Sequence, residues 1–206
     1  MGSTSNMEST PLKEISLISA GFGGQGVLFI GKIIATCGLL EDREVSWLPS
    51  YGPEMRGGTA NCSVILSSRQ IGSPLVIEPN VLIAMNLPSY ERFEASVRQG
   101  GLIFYDNSLF EPEALPANVK GIALPVAALA SENGLKGLGN VVMLGGLWQE
   151  TLFCEEATLA AALDSTISAR KAHLREPNHK ALALGKAALL GKAAALDMDN
   201  NPKKEH

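Results

Sequence analysis

Short apolar runs punctuated by glycine and proline fill the first two-thirds of the chain. ISLISA at 15–20 meets Gly21 and reads as a buried strand, because a brief apolar run bounded by turn formers suits a sheet interior. Val27–Leu40 (VLFIGKIIATCGLL) is apolar nearly all round, which predicts a helix packed on more than one side. A second strand is expected at 44–48, a breaker-rich loop at 49–58, and a strand over Thr59–Ser67. LVI at 75–77 follows Ser73-Pro74 and suggests a short edge strand. VLIAMN at 81–86, LIFYDN at 102–107 and the stretch 119–125 read as further strands. The segment 88–99 opens on proline and stops at Gly100-Gly101, as a helix should. A helical turn at 127–132, a glycine-rich loop at 134–139 and helices at 140–149, 155–169 and 178–196 complete the pattern. Strands alternating with helices predict an α/β fold with a mostly parallel or mixed sheet and a helical C-terminal third. The domain is expected over 15–196, between a flexible start at 1–14 and a polar tail at 197–206.

Composition narrows the classes. The 206 residues are 46% hydrophobic and 18% charged, too apolar for a disordered chain and long enough to bury a core. The net charge of −4 argues against a nucleic-acid binder. No run reaches the roughly 18 apolar residues of a membrane span, and no basic-then-apolar signal opens the chain. Three scattered cysteines, Cys37, Cys62 and Cys154, form no CxxC pair, which disfavours a zinc site, an iron–sulfur cluster or a disulfide framework. These readings point to a cytoplasmic protein with no metal site of its own.

Gly21, Gly23 and Gly26 fit the GxGxxG dinucleotide pattern, placed after an expected strand and before an expected helix. Glycines permit close backbone approach, and the helix N-terminus offers free N–H groups to a phosphate. The alternative is a tight strand-to-helix turn in which glycine serves packing alone. A nicotinamide dinucleotide would need an acidic residue after the next strand for its ribose, and Val45–Pro49 supplies none.

The loop PSYGPEMRGG at 49–58 is the second unusual feature. Pro53 fixes one backbone angle and Gly52, Gly57 and Gly58 permit others, with Tyr51, Glu54 and Arg56 set among them. Arg56 offers a planar fork for a carboxylate or phosphate; the alternative pairs it with Glu54 or with a neighbouring subunit.

In this order, GFGGQGVLFIGKIIA at 21–35, PSYGPEMRGGTANCSVILS at 49–67 and SPLVIEPNVLIAMN at 73–86 resemble the gamma subunit of the 2-oxoacid:ferredoxin oxidoreductases. The same unit occurs as a fused domain in pyruvate, 2-oxoglutarate, ketoisovalerate and indolepyruvate enzymes. GGLIFYDNSL at 100–109 and GNVVMLGGL at 139–147 extend the likeness, which covers roughly 15–190. The resemblance implies a Rossmann-like three-layer domain within a larger complex. That complex decarboxylates a 2-oxo acid on thiamine diphosphate, passes electrons through iron–sulfur clusters to ferredoxin, and yields an acyl-CoA. It implies partner alpha and beta subunits, with delta as a further candidate, and no activity from this chain alone. Gly21, Gly23, Gly24, Gln25 and Gly26 match the family's glycine turn and are the candidate cofactor-binding residues, with a CoA phosphate as the expected anion. Tyr51, Gly52, Glu54, Arg56, Gly57 and Gly58 match its second motif and are candidate substrate or interface residues. No catalytic residue is assigned. A stand-alone NAD(P)-dependent oxidoreductase, or a non-catalytic interaction protein on the same fold, are the alternatives.

Other residues read as structural. Cys37 and Cys62 are expected in the core, Cys154 half-exposed, and Trp47 and Trp148 as core or interface anchors. Asp106 and Asn107 end a strand where a ligand crevice would lie, with capping or turn formation as the plainer role. Lys180, Lys186 and Lys192 are expected on a solvated helix face, with docking to a partner subunit as the alternative.

Overall fold

The computed structural model describes residues 12, 14–50 and 59–191. Its strands are β1 (Ile15–Phe22), β2 (Glu44–Ser50), β3 (Thr59–Ser67), β4 (Val81–Ala84), β5 (Leu102–Tyr105) and β6 (Lys120–Ala123), joined in one sheet in the order β2-β3-β1-β4-β5-β6. β1, β4, β5 and β6 are parallel, whereas β3 runs antiparallel to both β1 and β2. The sheet is therefore mixed, and the expected alternation breaks where β2, β3 and β4 follow one another with no helix between them among the described residues. The helices are α1 (Val27–Leu40), α2 (Leu87–Phe93), α3 (Val126–Glu132), α4 (Gly139–Thr151), α5 (Glu156–Thr166) and α6 (Arg175–Leu189).

Alternation along each strand splits the apolar side chains between two cores. Ile15 and Leu17 of β1, Val64 and Leu66 of β3, and Ile83 of β4 face α1 and the C-terminal helices. Ile18, Ala20, Leu82 and Ile103 face the other way, where Tyr90 of α2, Val97, Phe93 and Phe110 cover them. α1 buries Val27, Ile30, Ile33, Ile34 and Cys37 between sheet and helices, which accounts for its apolar run. α4 and α6 cross closely, with Gly145 and Gly185 each against the other helix's backbone.

Several boundaries move. β1 runs on through Gly21 to Phe22, where Phe22 still pairs with Thr59. Residues 75–77 form no strand: β1 pairs directly with β4, while Leu75 and Ile77 are 63% and 78% exposed and only Val76 packs inward. α2 starts at Leu87 with Asn86 as its cap, so Asn86 leaves the strand assigned to it. It stops at Phe93 and gives way to a 3-10 turn at Glu94–Ser96, which lets Val97 enter the core. Cys154 is buried rather than half-exposed. Lys186 is not on a solvated face: its ammonium lies 4.2 Å from the Trp148 ring centroid and 2.7 Å from Glu156. Lys180 is exposed and pairs with Glu176 at 2.8 Å, and Lys192 lies outside the described residues.

Candidate functional site

The carboxyl ends of the parallel strands open onto a crevice of about 380 Å³. In α/β sheets this is where ligands bind. Gly24, Gln25, Met85, Asp106, Lys136 and Asn140 are among its lining residues. The glycine turn leaves β1 and enters α1 here. Gly26 is the N-cap of α1 in the left-handed region at φ 74°, and Gly24 sits at φ 92°. Both angles suit glycine. A side chain at Gly26 would also run into the amide of Asn140, which itself donates to the Gly26 carbonyl at 3.3 Å. At Gly21 a Cβ would meet the Gln25 Oε1 at 2.8 Å and the Met85 Cβ at 2.9 Å. Gly21 and Gly26 thus close the turn by packing, while Gly23 and Gly24 have no atom within 4 Å of an added Cβ.

Gln25 is the tie of the turn. Its Oε1 accepts from the Phe22 N–H at 2.6 Å and from Asn86 Nδ2 at 2.9 Å. Its Nε2 donates to the Met85 carbonyl at 2.9 Å. Asn86 in turn accepts from the Ser89 N–H at 2.9 Å, capping α2. One side chain therefore joins the end of β1 to the end of β4 and the start of α2.

Two helix N-termini meet at the crevice. α1 and α4 have neither a side-chain cap nor an acidic residue in the first turn. Their free N–H groups and positive dipole ends are left available for an anion. Lys136, in the loop before α4, adds a cation. The one buried carboxylate here, Asp106, is fully engaged. Its Oδ1 accepts from the Ser108 N–H at 3.1 Å and Oγ at 2.6 Å, and its Oδ2 from the Ala127 N–H at 3.1 Å. It caps α3, the plainer of the two roles read for it, and those donors offset its charge. The crevice suits a phosphate-bearing ligand. Lys136 lies in the glycine-rich loop and Asn140 in the GNVVMLGGL stretch, but nothing local in either marks its closeness to the glycine turn.

The second motif lies outside the described residues, so Tyr51, Gly52, Glu54, Arg56, Gly57 and Gly58 are not placed. The described residues that flank it are: Ser50 pairs with Asn61, and Thr59 pairs with Phe22 beside the glycine turn. β2 ends in Leu48-Pro49-Ser50 and brings no carboxylate for a ribose.

Among the described residues no group of three or more His, Cys, Asp or Glu side chains is placed to hold a metal ion. No helix among the described residues is long and apolar enough to cross a membrane. Cys62 is buried, which pushes its thiol up to about 11, against a lesser opposing pull from the Trp47 indole. Trp148 donates its indole N–H to the Cys154 carbonyl at 2.9 Å.

Comparisons with known proteins bear on the family and the fold. Residues 16–188 match the family model described as pyruvate ferredoxin/flavodoxin oxidoreductase. The ketoisovalerate oxidoreductase subunit VorA of Methanothermobacter marburgensis is 40% identical over 139 residues, which are 68% of this chain and 29% of that protein. The chain therefore spans less than a third of that relative. The gamma subunit of a keto/oxoacid ferredoxin oxidoreductase from Geobacter sulfurreducens superposes with a TM-score of 0.73 at 25% identity, covering 86% of this chain and 99% of that one. A 2-oxoglutarate:ferredoxin oxidoreductase from Magnetococcus marinus, solved with 2-oxoglutarate, coenzyme A and succinyl-CoA, gives 0.78 at 26% identity, covering 87% of this chain and 32% of that one. The match over nearly the whole described chain and the shared α/β fold make it a member of the pyruvate ferredoxin/flavodoxin oxidoreductase family.

Proposed function

We propose that this chain is the gamma subunit of a heteromeric 2-oxoacid:ferredoxin oxidoreductase and holds the anionic part of coenzyme A. The observation that carries the reading is the crevice: two uncapped helix N-termini and Lys136 converge where the single buried carboxylate is already bonded to three donors. A CoA phosphate bound there would be oriented by backbone N–H groups of the glycine turn, with Gly23 and Gly24 leaving room for close approach. Gln25 acts as a positioning residue that holds the turn against β4. Arg56 and the rest of the second motif, flanked by residues beside the turn, place the ligand or a neighbouring subunit.

Thiamine diphosphate and the iron–sulfur clusters belong to the alpha and beta subunits, and to a delta subunit where one exists. They supply the decarboxylation and the electron path to ferredoxin. This chain contributes assembly and the CoA crevice, and works in the cytoplasm. The Magnetococcus enzyme with coenzyme A bound supports the choice of ligand. The test is reconstitution: the chain is purified alone and with its partner subunits, and 2-oxoacid-dependent viologen reduction is followed. The expected result is activity only in the assembled complex. Turnover by the isolated chain, or partners that work equally well without it, would overturn the proposal.

A further inference from the structure

The fold uses only half of the Asn140 amide. Asn140 is the second residue of α4 and lines the crevice, yet it is only 7% exposed. Its Nδ2 donates to the Gly26 carbonyl at 3.3 Å, on an oxygen that also accepts from the Phe29 and Ile30 N–H groups at 3.1 and 3.2 Å. That bond decides which way the amide faces. An amide oxygen turned toward the Gly26 carbonyl would set two acceptors against each other, so the nitrogen takes that side and Oδ1 the other. Close packing holds the choice, since a Cβ built on Gly26 would meet Asn140 Cγ at 2.7 Å. Oδ1 accepts no hydrogen bond from any described residue. It is also not among the described polar atoms sealed from solvent without a partner, which are Ser19 Oγ, Ser89 Oγ and Asn178 Oδ1. It therefore opens on the crevice that its side chain lines.

The other polar side chains there are engaged or of a different kind. Gln25 spends its amide on Phe22, Asn86 and Met85, and Asp106 spends both oxygens on Ser108 and Ala127. Lys136 can only donate, and Ser131 is exposed. An uncommitted buried acceptor is out of place in a site for an anion, because its lone pairs repel the ligand's negative oxygens. It stabilises binding only where the ligand brings an O–H or N–H beside its charge. We propose that Asn140 is a specificity-determining residue whose Oδ1 accepts a hydrogen bond from the ribose 2′-hydroxyl of CoA. The proposal rests on the CoA reading above. Placement selects the hydroxyl: Asn140 abuts Gly26, the N-cap of α1, so the donor it meets stands next to the bound anion. In CoA the donor next to a phosphate is the ribose 2′-hydroxyl, beside the 3′-phosphate. The adenine amino group and the pantetheine amides stand farther from it. A site built to bond a hydroxyl rejects the analogue that lacks it, because the buried acceptor is then left unpaired.

The test compares CoA with 2′-deoxy-CoA, which keeps the thiol and every phosphate, in the assembled complex. For the wild type the KM for the analogue should be about 3–10-fold above that for CoA, the worth of one hydrogen bond. In Asn140→Ala the KM for CoA should rise and the gap between the two thiols should shrink to less than about twofold. A role in holding the turn alone would raise both KM values together and leave the gap intact. Two results would overturn the proposal: a wild type that takes both thiols equally, or a gap that survives in Asn140→Ala. Should that variant fail to assemble, Asn140→Ser takes its place with the same loss of the gap expected. Lys136→Ala keeps the two ideas apart. If it leaves the KM for CoA unchanged, the CoA reading falls; if it raises that KM while the gap persists in Asn140→Ala, only the role of Asn140 falls.

Discussion

Gln25→Ala separates two roles for the glycine turn. The wild-type amide accepts from Phe22 N–H and Asn86 Nδ2 and donates to the Met85 carbonyl, at 2.6, 2.9 and 2.9 Å. Alanine leaves all three partners without it. Each such bond is worth about 1 kcal/mol net, and more where the orphaned group stays buried. The turn is partly open to solvent, so water replaces some of the loss. The net cost should be about 2–3 kcal/mol, or a fall in Tm of roughly 5–10 °C for a chain of this size. Urea denaturation followed by circular dichroism measures it, and an unchanged m-value would show that the unfolded state is not responsible. Gln25→Glu keeps the two accepted bonds but sets a carboxylate against the Met85 carbonyl, so it should also destabilise. Because Asn86 caps α2, Gln25→Ala and Asn86→Ala should be non-additive, with a coupling of about 1 kcal/mol. If Gln25→Ala shifts stability by under about 0.5 kcal/mol, the tie is not structural and the reasoning fails. If CoA dependence then collapses as well, Gln25 is a ligand contact instead.

Two further perturbations probe the same frame. Gly26→Ala forces a side chain into left-handed backbone and against Asn140, and should cost about 2 kcal/mol or more in urea melts. In an Asn140→Ala background that cost should shrink, because the steric part is removed; an equal cost would show that Asn140 is not the obstacle. Burial and the neighbouring Glu111 raise Tyr105 to about 12, and burial with Glu94 moves Tyr90 up as well. Both phenols hold their protons more tightly when folded than unfolded. Their contribution to stability is therefore complete below about pH 10 and is lost as the pH climbs toward the folded values. A spectrophotometric titration should show two of the three tyrosines ionising late, together with alkaline unfolding; all three ionising at the ordinary phenol value would refute the burial argument.

The parts legible in the sequence are those that local chemistry decides. Val27–Leu40 is helical as read, because a run apolar on nearly every face, interrupted by Lys32 and Thr36, sits between a glycine N-cap and Glu41. Thr59–Ser67 is a strand as read, on its β-branched content and partial alternation. The segment 75–77 misled because its apolar triplet carries strand composition, but only pairing makes a strand, and β4 already occupies the place beside β1. The antiparallel insertion of β3 is likewise a matter of long-range pairing. At the site, the glycines announced the turn. The use of Gln25 as a tie, the closeness of Asn140 to Gly26, and the cation at Lys136 come from elements distant in the chain, which no local pattern records.

The central claim is that the crevice takes the anion of CoA, and Lys136→Ala in the assembled complex tests it most directly. Lys136 lines the crevice, and on that claim its ammonium stands beside the CoA anion, so its loss should cost about 1–2 kcal/mol of CoA binding. The KM for CoA should then rise roughly 5–30-fold, while the KM for the 2-oxo acid and the thermal stability stay near wild type. An unchanged KM for CoA in a folded, assembled Lys136→Ala complex would contradict the account.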